Sequence, residues 1–237
     1  MLYPTLLSSI NRRKVVALLI DPDKHTVDSL IRTIKLADKA GIGFILFGGS
    51  IISNYLPNPI EIIKDHIDKP VFLFPGNLLQ LSCQADGIFF LSLISGRNPD
   101  MLIGNHVLAA PYLKRSKMEI IPVGYMLIGK GQTSVEYMSQ TTPIPYGKPD
   151  IAVATAIAGE MLGLKAIYLE AGSGAEQHVS AETVQAVKQN VSVPLIVGGG
   201  IRTPRQVELL FSSGADVLVI GSAIEQNPEM LLDLPVL

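Results

Sequence analysis

The sequence predicts an α/β fold: a single (β/α)8 TIM barrel, modified, with its third outer helix stunted or missing. Three observations lead there. Short continuous apolar runs alternate with helix-period segments along the whole 237-residue chain, and eight strand candidates can be counted. Several of these runs stop at a glycine-bearing loop, notably at 48–50, 172–174, 198–200 and 221–222. The interval between the third and fourth strands is too short for a full helix with its loops. No charge block, repeat or low-complexity tract divides residues 1–237, so they read as one domain. A doubly wound open sheet is the alternative, and it would gather ligand at one switch point rather than around a ring of strand ends.

Residues 3–11 suit a short leading helix. Val15–Ile20 is a continuous apolar run, as expected of a parallel strand buried on both faces, and Pro22 biases Asp21 towards extended backbone where it ends. Thr26 can cap a helix with Val27, Leu30, Ile31, Ile34 and Ala37 on one face, and Gly41 closes it. Phe44–Phe47 is the second strand and runs into Gly48-Gly49-Ser50. A helix over 59–67 follows, with Asn58 as its cap and Pro59 at its first position. The third and fourth strands are 71–74 and 87–91. Pro75-Gly76 stops the third strand, and only 77–86 then remain before the fourth, enough for two or three turns and no connecting loops.

Asn98-Pro99 opens a helix running to about residue 113, and 119–123 is the fifth strand. Residues 124–148 read as one long loop, a length usual for lids and binding loops. An alanine-rich helix covers 149–162. The sixth strand is Ala166–Glu170, followed by a helix over 180–190. Strand seven is 194–197, with Thr203-Pro204-Arg205-Gln206 as a capping box for the helix after it. Val217–Ile220 is strand eight. Ser222 and Glu225 form a second capping box, and Asn227-Pro228 starts a last short helix.

Bulk properties narrow the function. A formal net charge of −2 argues against a nucleic-acid footprint. The lone Cys83 cannot close an intrachain disulfide, which suits a reducing, cytoplasmic setting. No stretch is long and apolar enough for stable membrane insertion. A mean hydropathy of +0.36 is high and leaves room for an apolar groove, a homo-oligomer interface, or both.

The loops after the seventh and eighth strands are where barrels commonly bind phosphate. Gly199, Gly200, Gly221 and Ser222 stand there, and glycines let an oxyanion approach backbone N–H groups at a helix start. Ordinary turns and caps are the competing explanation. Glu170 ends the sixth strand at the same rim, as a general base or hydroxyl acceptor, or else as a salt-bridge partner. Tyr168, two residues earlier, points to the same side and can reach a ligand oxygen. Asp21, with Asp23 beside it, and Ser50 close the first two strands. Such oxygen donors suit Mg²⁺, although a plain Asx cap would use the same residues. His25, His66, His106 and His178 show no ligand spacing and read as surface or cap residues. A Gly-x-Gly-x-x-Gly dinucleotide fingerprint is absent.

Ala17-Leu18-Leu19-Ile20-Asp21-Pro22-Asp23-Lys24, Phe47-Gly48-Gly49-Ser50, Tyr168-Leu169-Glu170-Ala171-Gly172-Ser173-Gly174-Ala175 and the stretches 197–202 and 214–222 together closely resemble the geranylgeranylglyceryl phosphate synthase family. Pro143-Ile144-Pro145 and Lys148-Pro149 are similar to it too. The resemblance implies a prenyltransferase of lipid biosynthesis that moves a geranylgeranyl (polyprenyl) group from its diphosphate to sn-glycerol 1-phosphate. It implies that Asp21 and Ser50 hold Mg²⁺. Tyr168, Leu169, Glu170, Ala171, Gly172, Ser173 and Gly174, with Gly199, Gly200, Gly221 and Ser222, would hold the glycerol phosphate. Glu170 would take the proton from the attacking hydroxyl, and a homo-oligomer is implied as well. The related heptaprenylglyceryl phosphate synthases carry a lysine where this chain has Leu19, and they lack the full Ala-Gly-Ser-Gly string, which places this chain nearer the geranylgeranyl type. The long tail needs an apolar trench, expected near 78–81 and 88–93, in the gap left by the third helix. A phosphate-binding barrel isomerase would instead need a closed polar pocket, and a non-catalytic phosphate sensor would tolerate loss of Asp21.

Overall fold

The computed structural model describes residues 2–53, 56–129 and 133–234. Helix α1 (Leu2–Arg12) leads into β1 (Val15–Ile20), α2 (Val27–Lys39), β2 (Phe44–Phe47), α3 (Pro59–His66) and β3 (Val71–Leu73). The chain continues through β4 (Gly87–Leu93), α4 (Asn105–Arg115), β5 (Glu119–Gly129), α5 (Ser134–Ser139), β6 (Ile144–Pro145) and α6 (Pro149–Met161). It finishes with β7 (Ala166–Glu170), α7 (Ala181–Lys188), β8 (Leu195–Gly198), α8 (Pro204–Ser212), β9 (Val217–Ile220), α9 (Ser222–Gln226) and a 3₁₀ segment over Pro228–Asp233. Strands β1, β2, β3, β4, β5, β7, β8 and β9 pair in that order, all parallel, and β9 pairs with β1 to close the barrel.

Period-two alternation divides each strand between two cores. Ala17, Phe44, Leu46, Phe72, Phe89, Tyr125, Tyr168 and Val219 fill the barrel interior. Leu18, Ile20, Ile45, Ile88, Ile167, Leu169 and Val197 face outward to Leu30, Ile34, Val184, Val207 and Leu210 of the surrounding helices. Leu2, Tyr3 and Ile10 of α1 pack against the interior cluster. Glu119, at the start of β5, accepts the main-chain N–H groups of Leu2 and Tyr3. The helix therefore closes the N-terminal end of the barrel and leaves the opposite end open.

The interval between β3 and β4 holds a single 3₁₀ turn, Leu78–Gln80, where a barrel helix would lie. The short spacing read from the sequence is thus a real gap in the outer wall. Thr26 caps α2 as expected, and does so in a box with Ser29; Thr203 and Gln206 form the capping box expected for α8.

Several expectations need correction. Strand β4 runs two residues past 91 and β5 six residues past 123, so 124–148 is not one loop. Gly124 ends nothing. A side chain there would meet Ile94, Leu164 and Ile167 at 2.8 to 3.0 Å, so the glycine admits close packing inside a continuing strand. Beyond it, Ile128 and Gly129 pair with β6, and α5 occupies the rim; residues 130–132 of that segment lie outside the described residues. Asn58 does not cap α3. Its backbone is left-handed, with φ 44°, and its side chain makes no cap bond. The helix expected from Asn98 begins with a π turn, Asp100–Gly104, with Asn98 accepting the Asp100 N–H at 3.0 Å. Ser222 and Glu225 form no capping box either. The cap position is Gly221, whose carbonyl accepts from Ile224 and Glu225 N–H, which leaves both side chains to face the barrel mouth.

Candidate active site

One cavity of about 380 Å³ occupies the C-terminal rim of the barrel and continues into the gap beside β4. Asp21, Ser50, Tyr168, Glu170, Gly172, Ser173, Gly174, Gly199, Gly200, Gly221 and Ser222 all line it. Leu169 and Ala171 do not. Strand alternation turns the Leu169 side chain outward, and Ala171 N–H donates to Gly198 O at 3.0 Å. Their share in a site is confined to placing their neighbours.

The polar end is built from backbone. Gly172 and Gly174 have φ 108° and 71°, and Gly199 and Gly200 have 81° and 69°, conformations closed to most other residues. A side chain on Gly200 would strike the main chain of Gln177 and His178 at 2.6 to 2.7 Å, so the β7 and β8 loops pack backbone on backbone. The Ser173 and Ser222 hydroxyls lie 3.5 Å apart across the space these loops enclose. The Ser222 and Ala223 N–H groups, ahead of the first internal hydrogen bonds of α9, start at the same place. Such a ring of amides and hydroxyls suits an oxyanion.

Glu170 projects into this end while almost fully buried. Burial raises its carboxyl from 4.5 to about 7, against the lowering effect of the Gly172 N–H, which donates to Oε1 at 2.6 Å, and of the adjacent Tyr168. The carboxyl therefore exchanges its proton near neutrality, as a general base requires. The Tyr168 hydroxyl is buried beside it, near enough to lower the carboxyl but without the geometry of a well-formed hydrogen bond, and burial pushes its phenol well up. A side chain on Gly198 would come within 2.2 Å of that hydroxyl, so the glycine is what makes room for it. Phe74, Tyr125 and Tyr168 stack in the mouth, with centroids 5.3 to 6.0 Å apart.

Across the mouth, Asp21 accepts the Asp23 N–H at 3.0 Å, and burial raises its carboxyl above the ordinary range. Glu225 faces it from α9. Burial, and then the Asp21 charge, raise Glu225 to about 6, while Lys24 opposes the rise. Two desolvated carboxylates and the Ser50 hydroxyl at one wall are hard oxygen donors of the kind magnesium accepts. Among the described residues no three His, Cys, Asp or Glu converge into a full cage. Magnesium fits that arrangement, because it keeps several waters and shares its remaining positions with substrate phosphate. Gln80 supports this wall. Its Nε2 donates to Gly49 O at 2.6 Å, and its Oε1 accepts from Gly76 N–H at 3.1 Å and Gly49 N–H at 3.4 Å. One side chain in the space of the missing helix thereby ties the loop after β2 to the loop after β3.

The apolar end is the trench expected from the sequence. Leu78, Leu81, Ile88, Phe90, Met101 and Ala109 line it between the 3₁₀ turn, the outer face of β4 and α4. His106 is buried in its wall, which corrects its reading as a surface residue; its ring meets Phe90 edge-on at 4.2 Å, and burial lowers its pKa. His25 is buried as well, beside Asp21, whose charge partly offsets the lowering of its pKa by burial.

Sequence reasoning missed Gln80, Glu225, Phe74 and Tyr125, and it gave no separate role to Lys24 or Arg202. Lys24 and Arg202 lay within stretches already singled out, whereas Gln80 sits in a segment whose only message was its shortness.

Comparison with known proteins places the chain in context. The model of the PcrB family matches residues 8–235. The chain is similar to a protein named geranylgeranylglyceryl phosphate synthase from Spirosoma linguale, 47% identical over 227 residues that cover 95% of this chain and 91% of that one. A protein of the same name from Methanothermobacter marburgensis is 41% identical over 219 residues, covering 92% and 89%. Among solved structures, (S)-3-O-geranylgeranylglyceryl phosphate synthase from Thermoplasma acidophilum, in complex with substrate sn-glycerol-1-phosphate, superposes with a TM-score of 0.91. It is 34% identical, and the match covers 98% of this chain and 94% of that one. An N-acetylmannosamine-6-phosphate 2-epimerase from Clostridium perfringens, with a TM-score of 0.58 and 15% identity, shares the fold alone.

Proposed function

The chain belongs to the PcrB family, and on that premise we propose that it is a geranylgeranylglyceryl phosphate synthase. It transfers the geranylgeranyl group of a prenyl diphosphate to sn-glycerol 1-phosphate and forms an ether-lipid precursor and diphosphate. The observation that carries the reading is the continuity of one cavity from an amide-lined cup, past two carboxylates, to an apolar trench. The isomerase alternative calls for a closed polar pocket, and nothing in its chemistry uses such a trench.

The cup formed by Gly172–Gly174, Gly199–Gly200 and Gly221–Ser222 holds the phosphate and so places a glycerol hydroxyl beside Glu170. Glu170 accepts the proton of that hydroxyl as its oxygen bonds to the allylic carbon, and the bond from that carbon to the diphosphate oxygen breaks. The ring faces of Phe74, Tyr125 and Tyr168 favour positive charge developing on the allylic carbon. Asp21 and Ser50, with Glu225 at the same wall, would hold a magnesium ion that supplies counter-charge to the departing diphosphate. Lys24 adds a cation to that wall. The trench walls exclude water from the tail.

A homo-oligomer accords with Val107 and Leu108 exposed on α4 and with exposed Ile103 just before it. Among the described residues no helix is long and apolar enough to cross a membrane. The exposed free thiol of Cys83 fits a reducing compartment such as the cytoplasm.

The deciding assay mixes the protein with Mg²⁺, radiolabelled sn-glycerol 1-phosphate and prenyl diphosphates of graded length. Label passing into organic solvent, most strongly with geranylgeranyl diphosphate, is the expected result. No extractable label at any tail length rejects the function, and a maximum with the heptaprenyl substrate rejects the tail assignment.

A further inference from the structure

Arg202 follows the glycines of the β8 loop, yet its side chain is occupied by the β7 loop. Nη1 donates to Glu176 O at 2.9 Å, and Nη2 donates to Ala175 O at 2.6 Å and Gly174 O at 3.3 Å. Its own main-chain N–H donates to Gln206 Oε1 at 2.7 Å, within the capping box of α8. The base of the side chain is thus fixed to a helix start, while its head grips three consecutive carbonyls 26 to 28 residues away in sequence. Among the described residues Arg202 has no carboxylate partner within ion-pair distance. It also lines the cavity.

We propose that Arg202 is a positioning residue for the phosphate-bearing acceptor: its guanidinium clamps the 172–177 loop to the β8 loop and so holds the cup in its binding shape. The inference rests on the reading of that cup as the glycerol phosphate site. Four positive-φ glycines give the two loops wide conformational freedom, and an amide ring binds an oxyanion well only if it is held before the ligand arrives. The planar fork of arginine reaches several carbonyls at once. A lysine carries the same charge on a single nitrogen and cannot reproduce that grip. Charge and clamp can therefore be separated by experiment.

Wild type, R202K and R202M are compared by calorimetric binding of sn-glycerol 1-phosphate, by KM for each substrate, and by amide hydrogen exchange across 172–177 without ligand. Both variants are expected to weaken glycerol phosphate binding by roughly tenfold or more, with KM for the prenyl diphosphate unchanged and with faster exchange in the loop. R202K binding as tightly as wild type overturns the clamp and leaves only charge. Unchanged loop exchange in both variants overturns it as well. Should R202M fail to fold, R202K decides alone. Exchange needs no ligand, so a wild-type protein that binds no glycerol phosphate counts against the function of the cup, and the clamp is still judged on the loop.

Discussion

The carboxylate of Glu170 accepts the N–H of Gly172, two residues further along the chain, at 2.6 Å. The strand thus folds its last side chain back against the first glycine of the loop it enters. A side chain on Gly199 would lie 2.4 Å from the same Oε1, so the second loop fits closely around this contact. The proposed base and the proposed cup are a single local structure.

Glu170→Gln keeps the acceptor for Gly172 and removes the proposed base. Turnover is expected to fall by at least ~100-fold while sn-glycerol 1-phosphate still binds. Calorimetry beside steady-state rates checks both halves, and near-normal turnover removes Glu170 from the role.

The carboxyl of Glu170 stands at about 7 in the folded chain, against an ordinary 4.5. A base must be ionised, so kcat/KM is expected to fall about tenfold per pH unit below roughly 7. Stability moves the opposite way. The folded-state pKa is raised, so the group's contribution is full below about pH 4.5 and is lost as pH rises through 7. Glu170→Gln is therefore expected to melt higher than wild type above pH 7, by an amount on the order of 3 kcal/mol at most, and the difference should vanish below about pH 4.5. Melting curves at pH 4.5, 6 and 8.5 read the trend.

Tyr168→Phe removes a buried hydroxyl that forms no well-shaped hydrogen bond within the protein, although it helps to hold down the Glu170 carboxyl. A gain of about 1 kcal/mol in stability without ligand is expected, together with a weaker affinity for sn-glycerol 1-phosphate. Denaturant midpoints with and without the ligand separate the two effects, and unchanged affinity would show that the hydroxyl does not reach it.

Gln80→Leu releases Gly49 and Gly76 from each other and frees the loop bearing Ser50. The Mg²⁺ concentration for half-maximal activity is expected to rise about tenfold, the scale seen when a residue supporting metal ligands is lost. KM for sn-glycerol 1-phosphate should stay at the wild-type value. A rise in that KM alone would place the effect at the cup instead.

Chelation of divalent ions is expected to abolish turnover and to leave sn-glycerol 1-phosphate binding intact, since the cup lies with the glycine loops and not with Asp21. Asp21→Asn should mimic chelation and resist rescue by added Mg²⁺. Normal turnover after exhaustive chelation excludes the metal.

Much of the barrel was legible because buried parallel strands are written as unbroken apolar runs. Val15–Ile20, Phe44–Phe47, Ala166–Glu170 and Val217–Ile220 match strand for strand. The missing helix was legible as a simple count of residues. Less legible was anything a glycine decides by what lies next to it. Gly124 reads as a stop, but it is a strand residue admitting Ile94. Gly221 displaced the expected cap at Ser222 by one position. At the site, strand-end glycines and acids declared themselves through composition. Gln80, Glu225 and the grip of Arg202 depend on which loops fold against each other, and no local pattern carries that.

A barrel enclosed on every side would oblige an amphiphile to leave through the opening by which it came, head and hydrocarbon together. Here the wall is breached lengthwise between β3 and β4. On the proposed function, the product is expected to be shed sideways, its greasy end lying along the breach while its charged end leaves the glycine loops. The shortest crossing between neighbouring barrel strands would thus also be the doorway for the largest thing the protein would make.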